Sequence, residues 1–79
     1  MLWRLRMEEA MRAERVQVSW DSNKSKWVVR IEAGAEVIRR RMDVPKDEDD
    51  QTLRSAAQKT VQDEGYEVDF TEIVVHRLI

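Results

Sequence analysis

Residues 36 to 50 read EVIRRRMDVPKDEDD, a run that concentrates the side chains whose types and spacing could do chemistry. Asp43, Asp47, Glu48, Asp49 and Asp50 supply carboxylate oxygens, the ligands that Ca²⁺ and Mg²⁺ prefer. The EF-hand spacing and its glycine are absent, however, and consecutive carboxylates on a first helical turn point in different directions. Capping explains them better. Asp47 is expected at an N-cap, with the acids behind it complementing the positive end of a helix dipole. Arg39, Arg40 and Arg41 offer phosphate-binding guanidiniums. On a strand they are not one tripod, because Arg39 and Arg41 share a face and Arg40 points the other way. His76 is the only histidine and has no Ser, Cys or second His at a triad-like or ligand-like spacing. It reads as a structural residue, and the isolated Gly34 and Gly65 make no phosphate-cradling loop. No cofactor, metal or catalytic group is expected.

These residues need elements to position them. In the N-terminal stretch Trp3, Met7, Ala10 and Met11 recur at helical spacing, which predicts a short amphipathic helix, although Trp3, Leu5 and Met7 also alternate with arginines as a strand would. From Arg15 the period is two: Val16, Val18 and Trp20, then the turn-forming DSNKSK, then Trp27, Val29 and Ile31. Residues 15 to 32 therefore form a hairpin, with Trp20 and Trp27 facing each other across it. After a turn at Ala33 and Gly34, AEVIRRRMDV is a third strand. If Ile38, Met42 and Val44 face inward then so does Arg40, which demands a bulge, an edge position or a carboxylate partner. Pro45 ends the strand. Leu53, Ala56, Ala57, Thr60 and Val61 mark the second helix, and Gly65 stands at its C-cap position. EVDFTEIVVHRLI is a last strand, bent near Thr71 and Glu72 where the apolar parity changes from Val68 and Phe70 to Ile73 and Val75.

With the apolar faces inside, the outward set is Arg15, Gln17 and Ser19, then Lys26, Val28, Arg30 and Glu32, then Val37, Arg39 and Arg41. This is a basic face rich in hydrogen-bonding groups, suited to phosphates or base edges. The plain alternative is a solvated face, or one covered by the first helix and paired to Glu8, Glu9 or Glu14. The order helix, three strands, helix resembles a double-stranded-RNA-binding domain. That family opens its second helix with lysines, where this chain has Asp47, Glu48, Asp49 and Asp50, which would repel phosphate. Three strands followed by a helix, with the tryptophan opening KWVVRI and with Arg30, Arg39 and Arg41, resemble the sheet-reading DNA-binding domains of plant transcription factors and of some phage and transposon integrases. The resemblance covers about residues 15 to 64 and implies DNA contact through the three-stranded face.

Length and composition bound the rest. A chain of 79 residues is a single domain, residues 1 to 79, that buries only about 60% of its unfolded surface, so help from a partner subunit is an advantage. Hydrophobic residues at 42% and charged residues at 38% exclude both disorder and a membrane span. No apolar run approaches the roughly 20 residues a span needs, no signal peptide is evident, and a cytoplasmic protein is expected. The absence of cysteine leaves packing as the source of stability. Charge is uneven: residues 1 to 46 sum to +4 and residues 47 to 79 to −6, recovering the net −2. The sequence thus predicts an α+β domain of α-β-β-β-α-β order, a mostly antiparallel four-stranded sheet with helices packed on one side. Its expected function is a non-catalytic interaction module acting through a homodimer or another protein partner, with Trp3, Met7, Met11, Val75 and Ile79 as candidate self-association residues. The alternative is a nucleic-acid-binding module using Arg15, Gln17, Lys26, Arg30, Arg39 and Arg41.

Overall fold

The structure, a computed structural model, describes residues 11 to 77. The expected N-terminal helix lies outside the described residues except for its last position. Met11 stands not in a helix but in a two-residue strand, β1 (Met11–Arg12), which runs parallel to β5 (Tyr66–Glu67). The main sheet is built from β2 (Arg15–Asp21), β3 (Lys26–Ala33), β4 (Glu36–Met42) and β6 (Ile73–His76), in the order β4-β3-β2-β6. One helix, α1 (Asp50–Asp63), is present among the described residues.

The hairpins follow from alternation and turn chemistry. Trp20 pairs with Trp27 in the β2–β3 register, and their rings meet edge-on with centroids 5.3 Å apart. Such a contact contributes about 0.5–1.5 kcal/mol beyond the area it buries. Asp21 closes the connecting turn by accepting backbone N–H bonds from Asn23 and Lys24 at 3.0 and 3.3 Å. The β3–β4 turn is Gly34–Ala35 rather than Ala33–Gly34. Gly34 takes φ 61° at the first turn position, which a type II′ hairpin turn reserves for glycine.

Beyond β4 the chain turns before it becomes helical. The Glu48 N–H bonds the Pro45 carbonyl at 3.3 Å, so Asp47 lies inside a turn and cannot cap the helix. Asp49 is the N-cap instead, its Oδ1 accepting from the Thr52 N–H at 2.8 Å. The helix buries Leu53, Ala57 and Val61 against Val16, Val18, Trp27, Val29 and Ile31 of the sheet. The Leu53–Val61 stripe is thus the i, i+4, i+8 face that its spacing announces. Gly65, at φ 92°, lets the chain leave the helix.

The expected last strand is two. Tyr66–Glu67 joins β1, a 3₁₀ turn at Phe70–Glu72 shifts the parity, and Ile73–His76 then lies beside β2. Because α1 carries the chain from one sheet edge to the other, β6 arrives parallel to β2, which makes the sheet mixed. Val68 and Ile73, whose parities differ in sequence, are both buried as a result.

The Asp49 carboxyl is held below its usual range, first by the hydrogen bond from the Thr52 backbone and then by that residue's side chain. A depressed carboxyl stabilises the fold above the unfolded value of about 3.9, and the contribution is lost as pH falls through the folded value. Asp49→Ala should lower the urea midpoint at pH 7, whereas Asp47→Ala should leave it nearly unchanged. Asp49→Asn, which caps without titrating, should lose less of its pH 7 stability at pH 3 than the parent does. Equal losses for Asp47→Ala and Asp49→Ala would place the cap elsewhere.

Candidate nucleic-acid interface

The sheet has one face against α1 and one with no described element on it, and the registers determine what stands together on the second. Opposed pairs place Arg15, Glu32 and Val37 in one row. Val74, Gln17, Arg30 and Arg39 form the next, and His76, Ser19, Val28 and Arg41 the third. Asp21 and Lys26 form the last, where Lys26 Nζ meets Asp43 at 3.0 Å. Acids therefore occupy the two end rows only. The two middle rows carry three guanidiniums, a histidine, a glutamine and a serine, with Val28 and Val74 between them.

The cations are not equally available. Lys26 is engaged by Asp43, and Arg30 Nη1 forms an ion pair with Glu32 Oε2, two residues along its own strand, at 2.6 Å. Arg30 Nε is buried without a hydrogen-bond partner, a cost that a ligand oxygen would remove. Arg15, Arg39 and Arg41 are exposed and make no ion pair among the described residues. Gln17 is half-buried beside Arg30. Open depressions of ≈ 390 and ≈ 350 Å³ lie next to each other here and share Asp21, Val28 and Arg39; the first is completed by Ser19, Trp20, Ser22 and Arg30 and the second by Lys24, Arg40 and Arg41, so one carboxylate stands at the rim of both. Val74 and His76 belong to the face although their adjacency to Gln17 and Ser19 is not readable without the β2–β6 pairing. Their outward direction is readable, since Ile73 and Val75 take the opposite parity.

Arg40 leaves the group. It points to the core side of β4, an edge strand, and its guanidinium meets Glu64 at the end of α1, Nε to Oε2 at 2.8 Å and Nη2 to Oε1 at 3.2 Å. The edge position and the carboxylate partner together resolve its conflict. The acids of the helix start are likewise employed in structure. Asp50 pairs with Arg77 at 2.6 Å, Asp49 caps, and Glu48 gives its carbonyl to Arg77. No cluster of three or more metal-ligating side chains occurs among the described residues. Tyr66 donates to Glu36 at 3.1 Å, and this bond holds its phenol pKa above the ordinary value.

Of the self-association candidates, Trp3, Met7 and Ile79 lie outside the described residues. Met11 is 62% exposed on β1. Val75 packs against the core cluster, so the exposed apolar residue of β6 is its neighbour Val74, at 45%. No helix among the described residues is long and apolar enough to cross a membrane. Family models, curated proteins and solved structures yield no match to this chain.

The division between Arg40 and its neighbours is measurable as stability. A double-mutant cycle on Arg40 and Glu64, each to Ala, should return a coupling of about 0.5–1 kcal/mol that shrinks in high salt. Arg39→Ala and Arg41→Ala should each stay within about 0.5 kcal/mol of the parent by denaturant unfolding. A loss for Arg39→Ala as large as that for Arg40→Ala would mean the two faces have been exchanged.

Proposed function

We propose that the chain is a non-catalytic binding module whose working surface is the outer face of the four-stranded sheet and whose ligand is nucleic acid. The supporting observation is the register, which brings Arg30, Arg39 and Arg41 into two adjacent rows without an acid between them. Guanidiniums in this arrangement suit phosphate oxygens, and Gln17, Ser19 and His76 add further hydrogen-bonding groups on the same rows. Self-association or a protein partner is the second reading. Sequence alone puts it first; the order changes because Met11, Val37 and Val74, the exposed large apolar side chains among the described residues, stand on three different strands. Val37 and Val74 lie on opposite edges of the main sheet and Met11 on the separate two-stranded one, so among the described residues they form no common patch of the kind that marks a protein interface.

The test is an electrophoretic shift at low and moderate salt with the parent and with the Arg39→Ala, Arg41→Ala double variant. Binding should be visible at low salt, weaken steeply as salt rises, and be strongly reduced in the variant. No shift at low salt sinks the reading. A concentration-dependent dimer mass in sedimentation, together with no shift, would restore the protein-partner reading to first place.

A further inference from the structure

We infer that the outer sheet face grips the phosphate backbone of a double-stranded nucleic acid, without reading bases and without stacking on them. The inference rests on the nucleic-acid reading above and asks which form of the ligand the face fits.

Single-strand binding without sequence preference depends on aromatic platforms, each stacked base contributing about 1–3 kcal/mol. The aromatic side chains among the described residues are committed elsewhere. Trp27 is buried on the helix side of the sheet and donates its Nε1–H to the Pro45 carbonyl at 2.9 Å. Trp20 packs edge-on against it and carries the Lys46 ammonium 5.6 Å from its ring centroid, so although it reaches the rim of the larger depression its ring is already engaged. Tyr66 is bonded to Glu36, and Phe70 lies in the 3₁₀ turn before β6. Only Trp3 lies outside the described residues. Where a stacking platform would have to be, at the centre of the outer face, stand Val28 and Arg30.

Base-edge reading is disfavoured by the state of that same centre. Arg30, the guanidinium best placed for a bidentate contact, is already bonded to Glu32 at 2.6 Å. The guanidiniums free among the described residues are peripheral: Arg39 and Arg41 on the edge strand β4, and Arg15 in an end row. Peripheral cations around a centre whose one guanidinium is already paired with Glu32 meet a backbone rather than base edges, and contacts of that kind position a protein without specifying sequence. A duplex, with one negative charge per about 1.7 Å of axis, rewards them more than a single strand with half that density.

Three free guanidiniums give a quantitative expectation. The slope of log affinity against log salt should be about −2.7 on a duplex, at roughly −0.9 for each phosphate neutralised, which corresponds to about a 40-fold loss between 50 and 200 mM salt. The Arg39→Ala, Arg41→Ala variant should fall to a slope of about −0.9. Fluorescence anisotropy would compare three labelled probes of equal length: two DNA duplexes of unrelated sequence and one mixed-sequence single strand. The two duplexes should bind within about threefold of each other and the single strand more weakly than either. Single-strand binding equal to or tighter than duplex binding overturns the duplex assignment while the nucleic-acid reading survives. A tenfold or larger preference between the duplexes overturns the backbone-only mode. Absence of binding by all three probes at 50 mM salt removes the nucleic-acid reading itself and this inference with it. Circular dichroism of the double variant separates lost contacts from lost folding, since both substitutions are exposed.

Discussion

The indole of Trp27 is where four segments of the chain are tied together, and which residues make up the outer sheet face depends on its burial. Its ring meets Trp20 of β2 edge-on, its Nε1–H bonds the Pro45 carbonyl after β4, and the Arg77 guanidinium sits 5.5 Å from its centroid. Arg77 in turn holds Asp50 and the Glu48 carbonyl at the start of α1. Only 2% of Trp27 remains exposed. The side-chain period of a strand is two, so burying this residue fixes every other position of β3. Val29 and Ile31 go in; Val28, Arg30 and Glu32 go out. A slip of one residue would put Arg30 into the core and Trp27 into water, which the core could not tolerate. The register to β2 and β4 then carries the same decision outward to Gln17 and Arg39.

Edge protection and the proposed function draw on the same residues of β4. A free sheet edge presents unpaired backbone groups that invite another strand, and charged side chains discourage it. Arg39, Arg40 and Arg41 do this on one edge, with Arg40 turned back to Glu64 so that the strand is also pinned to the end of α1. At the opposite edge the Ile73 carbonyl of β6 accepts from Arg54 at 3.0 Å. The helix thus supplies a cation to one edge strand and a carboxylate to the other. A run of three arginines that looks like a single motif is therefore divided by the pleat into a structural residue and two surface ones.

Much of this was legible in the sequence because alternation is a local signal. The hairpin, the Trp20–Trp27 pair, the helix stripe, the strand end at Pro45 and the parity break near Thr71 all follow from short windows. The N-cap was missed by two residues, since the turn closed between Pro45 and Glu48 consumes the acids that precede Asp49. The mixed character of the sheet was not legible either. Which strand β6 joins is decided by the path of α1 across the sheet, a long-range matter that no window around IVVH contains. For the same reason the outward direction of Val74 and His76 could be read but not their place beside Gln17 and Ser19. Met11 was assigned to a helix by spacing alone, and its pairing with Tyr66 involves residues 55 positions apart.

The face that results is not arranged for stability. Arg30 and Arg39 stand directly opposite each other in the β3–β4 register, a position where like charges are destabilising. The ion pair of Arg30 with Glu32 relieves part of that repulsion, while Arg39 and Arg41 keep theirs. For so small a domain, whose margin is thin, such a concentration of charge is unfavourable unless something anionic arrives to offset it. A bound phosphate would reduce the Arg30–Arg39 repulsion and offer an acceptor to the unpartnered Arg30 Nε, so ligand binding and stabilisation of the sheet become one process. The features that make the outer face costly in the free protein are those on which the proposed binding of a polyanion would draw.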